Sequence, residues 1–204
     1  MATWLAVFTH AATAANGEWN FTVLLEEAAI GEHRFSVGET ADGRRLVSEA
    51  DFAVKFVGIT AYRYRHKATE QWRGECLTSL TSSTNDDGTS HQVRTDTDGS
   101  GLTVFAGTAA PRKLPGCTMS FAYWNPRIRT QTQLLNAQTG ELETVRIVAL
   151  GAGTIEVRGK PTTAMRWRIN GPARSIDVWY SAQGDWLGLD SLVAGNRKLT
   201  YRLK

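Results

Sequence analysis

The chain has 204 residues, 42% of them hydrophobic and 21% charged, with 23 Lys and Arg against 20 Asp and Glu and a formal net charge of +3. That length and apolar content suffice for one sizeable core, which excludes a low-complexity or intrinsically disordered chain and makes a single domain the expectation. Charges of both signs are interspersed without a block of like residues, which argues against a nucleic-acid partner.

Residues 1–16, MATWLAVFTHAATAAN, join a short apolar run to small residues ending in Ala12-Thr13-Ala14. This fits the A-x-A pattern of signal cleavage but lacks a basic n-region. The segment reads as a signal remnant, a first strand or a loose tail, and residues 17–204 as one β-barrel-like domain. A periplasmic or otherwise exported location is expected, or a cytoplasmic one if 1–16 is no signal. No later stretch approaches the roughly 18 apolar residues that span a bilayer, so no transmembrane segment is predicted.

From Trp19 onward, period-2 alternation recurs with turn residues at short intervals, the pattern of an antiparallel meander. Residues 19–26 read as a strand, 28–31 as a turn and 32–37 as the return. Ala41-Asp42-Gly43 then turns into a strand over 45–57, in which Val47, Phe52, Val54 and Phe56 are the apolar positions. Over 61–72, Tyr62, Tyr64, His66, Glu70 and Trp72 share one face, and Arg63, Arg65 and Lys67 the other. Asn85-Asp86-Asp87-Gly88 is the strongest hairpin signal, because Asp-Gly tolerates the positive φ of a tight connection. Thr97-Asp98-Gly99-Ser100-Gly101 is a second turn, ahead of a strand over 102–105. Residues 107–116, with Pro111 and Pro115, read as a loop.

Residues 118–129 are the one stretch where a short helix is expected, interrupted at Asn125-Pro126 because the residue before proline avoids the α region. Strands follow over 142–150, 154–158, 165–169, 175–180, 186–193 and 199–203. In 165–169 the alternation sets Met165, Trp167 and Ile169 against Arg166 and Arg168, so the Trp–Arg interleaving reads as amphipathic and not as a nucleic-acid platform. Roughly ten to twelve strands exceed what an open twisted sheet holds comfortably. The predicted fold class is therefore all-β: a single curled antiparallel sheet, barrel or half-barrel, with at most one or two short helices.

Four groups of residues carry a resemblance. They are Gly31-Glu32-His33-Arg34-Phe35; Tyr62-Arg63-Tyr64-Arg65-His66 with Glu70 and Trp72; Phe121-Ala122-Tyr123-Trp124-Asn125-Pro126 after Cys117; and Asp177-Val178-Trp179-Tyr180 followed by Trp186 and Leu189. From Trp19 on, nearly the whole chain resembles a family of uncharacterised exported bacterial proteins marked by an FAYWNP motif. That family in turn is similar to periplasmic half-barrel proteins whose curled sheet resembles the bacterial lipoprotein carriers. The resemblance implies a curved sheet with a concave face, and export; it implies no catalytic residue.

Cys76 and Cys117 are the two cysteines. An even count in an exported chain is compatible with one disulfide closing a loop of about 40 residues, the alternative being two buried thiols. His10, His33, His66 and His91 lack local metal-ligand spacing, so no metal is expected, and no phosphate-loop or dinucleotide motif calls for a cofactor. If the sheet encloses a cavity, its expected lining is Tyr62, Tyr64 and Trp72 facing Tyr123 and Trp124, with the Arg127 guanidinium available to an anionic head group. His66 and Glu70, with Asn125, are the candidate acid–base set, although an ideal strand separates His66 from Glu70 by about 13 Å. Glu32 and His33 are strand neighbours that point to opposite faces, and read as a hairpin feature.

The functional expectation is an exported binding module that shelters an apolar or amphiphilic ligand on the concave face. The alternatives are a cofactor-free lyase, isomerase or cyclase built on His66 and Glu70, and an envelope structural protein with a filled barrel. No motif specifies an oligomeric state.

Overall fold

The computed structural model describes residues 17–57, 59–98, 101–171 and 174–204. The signal-like segment 1–16 and the centre of the 97–101 turn lie outside the described residues. In chain order the strands are β1 Gly17–Leu25, β2 Ala28–Thr40, β3 Gly43–Phe56, β4 Ile59–Arg73, β5 Cys76–Asp86, β6 Thr89–Thr97, β7 Leu102–Ala106 and β8 Arg112–Leu114. They continue as β9 Gln133–Leu135, β10 Leu142–Thr144, β11 Arg146–Val157, β12 Lys160–Asn170, β13 Ser175–Tyr180, β14 Trp186–Val193 and β15 Arg197–Leu203.

Thirteen of these strands form one sheet in the order β11-β12-β13-β14-β15-β1-β2-β3-β4-β5-β6-β7-β8, with β9 and β10 as a separate hairpin. The first and last strands pair antiparallel near the middle of the sheet, Phe21 opposite Leu203 and Val23 opposite Tyr201. The fold is thus all-β, a large curled antiparallel sheet that does not close, with β8 and β11 as its edges and no α-helix among the described residues.

Alternation explains which face is buried. Along β1, Phe21, Val23 and Leu25 turn inward while Glu18 and Asn20 stay exposed. On β4, His66, Ala68, Glu70 and Trp72 are buried, and Arg63, Arg65 and Lys67 are exposed. Phe21, Leu80, Leu134 and Leu135 are fully buried, each worth about 1.5–3 kcal/mol of transfer free energy.

The described residues hold fifteen strands against the expected ten to twelve, and boundaries differ at several points: Arg112–Leu114 within the expected 107–116 loop pairs with β7, and β11 runs through 151–153 on a bulge where a break between strands 142–150 and 154–158 is expected. The first hairpin turns at Glu26-Glu27, both with positive φ (48° and 72°), and not at 28–31. Gly31 instead follows a bulge, where the register slips from Val23 opposite Gly31 to Leu24 opposite Ala29. A Cβ on Gly31 would meet the Asp51 carbonyl at 2.0 Å, so that glycine serves close strand approach and not the turn.

The expected helix over 118–129 contracts to a 3-10 turn at Pro126–Thr130. Pro126 has no N–H to lose at the start of the turn, and the Asn125 side chain caps it by accepting from the Arg127 N–H at 3.0 Å. The strand expected over 142–150 divides in two, because Leu142–Thr144 pairs with β9 while β11, from Arg146, pairs with β12.

The segment between the two sheet edges, residues 115–145, packs against the concave side. Its Met119, Ala122, Trp124, Ile128, Leu134 and Leu135 belong to the same buried cluster as Phe21, Leu46, Trp72 and Leu80 from the sheet. Cys76 and Cys117 form a disulfide, and beside it the Leu77 N–H donates to the Thr118 carbonyl at 2.9 Å. Further along, the Tyr180 hydroxyl donates to the Tyr123 carbonyl at 2.8 Å.

These ties lie at the end of the sheet that carries the β2–β3, β4–β5 and β13–β14 turns, and they close that end as a floor. The other end carries the β1–β2, β3–β4, β5–β6, β12–β13 and β14–β15 turns. Leu25, Val54, Tyr62, Asp86, Arg174 and Arg197 line the concave space there.

Candidate functional site

The register of four neighbouring strands builds the wall of a cavity of about 920 Å³. His33 on β2, Ala50 on β3, His66 on β4 and Thr84 on β5 stand on one rung across the sheet. The next rung toward the floor is Phe35, Ser48, Ala68 and Ser82, and the next toward the mouth is Gly31, Phe52, Tyr64 and Asp86. Ser48, Ala50, Ala68 and Ser82 are small, so the middle of the wall is recessed between aromatic side chains, and this recess makes room for a cavity instead of a filled core.

Phe52 and Tyr64 stack face to face with ring centroids 5.3 Å apart. Tyr123, Trp124 and Phe121 from the inner segment and Leu189, Leu199 and Tyr201 from β14 and β15 complete much of the lining.

The polar atoms are arranged in three levels. At the middle, Ser48 Oγ lies 2.7 Å from His33 Nε2, and the Tyr201 hydroxyl 3.3 Å from His33 Nδ1. His66 Nδ1 lies 2.7 Å from Thr84 Oγ1, and the His33 and His66 ring centroids are 6.5 Å apart across Ala50. Burial, reinforced by His66, holds the His33 imidazole well below its ordinary range, and burial pushes His66 down to about 4. Both rings are therefore neutral at pH 7.

At the floor, Glu70 accepts from Trp72 Nε1 at 2.9 Å and Ser120 Oγ at 3.1 Å. Burial raises its carboxyl to about 7 against those two hydrogen bonds.

Toward the mouth, the Tyr62 hydroxyl donates to Asp86 at 2.7 Å and the Tyr64 hydroxyl donates to Gln138 Oε1 at 3.0 Å. Gln138 lies between β9 and β10, so its bonds with Tyr64 and Asp86 stitch the inner segment to the wall. Desolvation raises the Tyr62, Tyr64 and Tyr201 hydroxyls above the usual phenol range, and they remain protonated donors.

Of the residues expected from sequence, Tyr62, Tyr64, His66, Glu70, Tyr123 and Trp124 line this cavity. Trp72 lies behind the lining, packed edge-on against Trp124 with centroids 5.6 Å apart. The Arg44 guanidinium sits on the Trp124 ring, 4.8 Å from its centroid, and donates to the Gly74 carbonyl. Arg44 Nη1 and Trp124 Nε1 are buried without an acceptor among the described residues. Arg127 is exposed on the 3-10 turn and is absent from the cavity lining.

Asn125 donates to Glu75 at 2.9 Å while capping the turn. His66, Glu70 and Asn125 thus bond to separate partners and form no shared acid–base set in this geometry.

The expected lining leaves out Ser48, Phe35, Tyr201 and Gln138, and His33, expected as a hairpin feature, stands within β2, where its i, i+2 relation to Phe35 carries the inward-facing signal. Tyr201 reaches His33 only because β15 pairs with β1, 168 residues away in sequence from the histidine.

The chain matches the family described as Domain of unknown function (DUF6134) over residues 21–204. No curated protein matches it. Among solved structures, it is similar to the crystal structure of a β-barrel-like protein of Domain of Unknown Function DUF1849 from Brucella abortus. The TM-score is 0.64 and the identity 12%, over 92% of this chain and 94% of that one. At that identity the likeness concerns the fold.

Proposed function

The chain belongs to the DUF6134 family, and we propose that it is a binding module that shelters an apolar or amphiphilic ligand inside its curled sheet. The observation that carries this reading is the cavity of about 920 Å³, open at one end and floored at the other by a disulfide-tied segment. That volume is toward the upper end of the roughly 300–1,000 Å³ typical of small-molecule sites.

Its walls are mostly aromatic and aliphatic, so an apolar body gains about 25 cal/mol for each Å² it removes from water. The polar groups are few and already oriented by one another, which suits recognition of a single polar feature on an otherwise greasy molecule. The disulfide fits an oxidising compartment, in keeping with the export that the sequence predicts.

The test has two arms on the full chain. Protein purified from its native host is extracted into organic solvent for mass spectrometry, and delipidated protein is titrated with an environment-sensitive acyl fluorophore while fluorophore and tryptophan emission are followed. The proposal expects a stoichiometric extracted ligand or saturable fluorophore binding. Absence of both on folded protein would falsify it.

A further inference from the structure

Building on the ligand-binding reading, we propose that the cavity selects an uncharged ligand, an apolar chain or ring whose single hydroxyl or carbonyl hydrogen-bonds His66 Nε2. His66 is 9% exposed, and its Nδ1 is engaged with Thr84 at 2.7 Å. Its Nε2 has no protein partner among the described residues, and the residue lines the cavity. The ring opens onto the cavity, so a ligand that displaces water there must replace the hydrogen bond that water gives Nε2, and this atom is the natural anchor for the ligand's polar group.

The tautomer narrows the chemistry. If the Thr84 hydroxyl donates to Nδ1, Nε2 carries the proton and donates to a carbonyl or hydroxyl oxygen. If Nδ1 donates to Thr84, Nε2 accepts from a hydroxyl. A hydroxyl satisfies both states and a carbonyl one.

Charge is excluded at this level by what surrounds it. The lining cations are at the mouth, Arg174 beside the start of β13 and Arg197 at the start of β15, and Arg44 lies behind the Trp124 ring. An anion drawn down to His66 leaves water and meets no cation, with Asp86 on the rung above and Glu70 two rungs below.

A cation meets two imidazoles on its own rung. The lining carboxylates already have donors: Asp86 accepts from Tyr62 and Gln138, Glu70 from Trp72 and Ser120, and Glu143 from Asn136. The same burial that keeps His33 and His66 neutral disfavours a ligand's ionised group.

Three chain-matched probes test this on the wild-type protein at pH 7.5: 1-decanol, decanoate and decylammonium, each followed by tryptophan emission and calorimetry. The expected result is that 1-decanol binds at least about tenfold more tightly than either ion. Decanoate or decylammonium binding as tightly as the alcohol would overturn the neutral-ligand proposal and leave the binding module intact. Binding of none of the three would sink both.

As a second arm, His66→Leu weakens 1-decanol by about threefold to tenfold, the worth of one hydrogen bond, and is rescued by His66→Gln. An alcohol affinity that does not move in a folded His66→Leu protein removes the anchor. The three wild-type probes need no variant, so the proposal stays falsifiable if His66→Leu does not fold.

Discussion

Two side chains four residues apart on β4 make opposite demands on pH. Burial raises the Glu70 carboxyl to about 7, against an ordinary 4.5, so the folded chain holds this proton more tightly than the unfolded one. Its contribution to stability is complete below pH 4.5 and is lost as pH rises through 7. Burial lowers His66 from 6.5 to about 4, so its contribution is complete above pH 6.5 and is lost as pH falls through 4.

The Glu70→Gln substitution keeps an oxygen for Trp72 and Ser120 and removes the charge. It should stabilise the protein at pH 8 by about 3 kcal/mol, with the gain falling below about 1 kcal/mol at pH 5. Urea unfolding of both proteins at the two pH values measures this, and an equal gain at both would show that Glu70 carries no strained charge in the folded state.

At the scale of elements, the inner segment 115–145 is what turns a curled sheet into a container. The Cys76–Cys117 disulfide spans 41 residues, which in the chain-entropy picture is worth about 4 kcal/mol. A Cys76→Ser, Cys117→Ser double variant should lose about that much, and hydrogen exchange should accelerate over 117–130 while β1 to β3 stay protected. Uniform acceleration across the sheet would mean that the bridge supports the whole fold and not the floor.

Most strands were legible from alternation, because one face of each is buried: the inward set Tyr62, Tyr64, His66, Glu70 and Trp72 on β4 is the clearest case. The 28–31 turn was misread because Ala-Ala-Ile-Gly looks like a connection, whereas Glu26 and Glu27 take up positive φ without glycine or asparagine. The helix expected over 118–129 had some local support, but packing of Met119, Ala122 and Trp124 into the core overrides weak propensity there.

On the scale of the whole molecule, the fold brings its two ends together at β1 and β15, and the cavity exists only once that pairing and the register of β2 to β5 are set. This is why half of the site was illegible. His66 and Tyr64 announce themselves on one strand, but Ser48 and Ala68 matter for being small beside Phe35, and Tyr201 for its reach across β1 to His33. Such relations belong to the register, which a one-residue slip would invert, and not to any local pattern.

The central claim is that the concave face holds an apolar ligand, and anomalous scattering from a crystal soaked with a long-chain bromoalkyl alcohol tests it most directly. The account predicts a bromine peak inside the cavity, bounded by Phe35, Phe52, Tyr64 and Trp124. A peak confined to the outer surface, or none in a crystal whose cavity is filled by its own side chains, would contradict it.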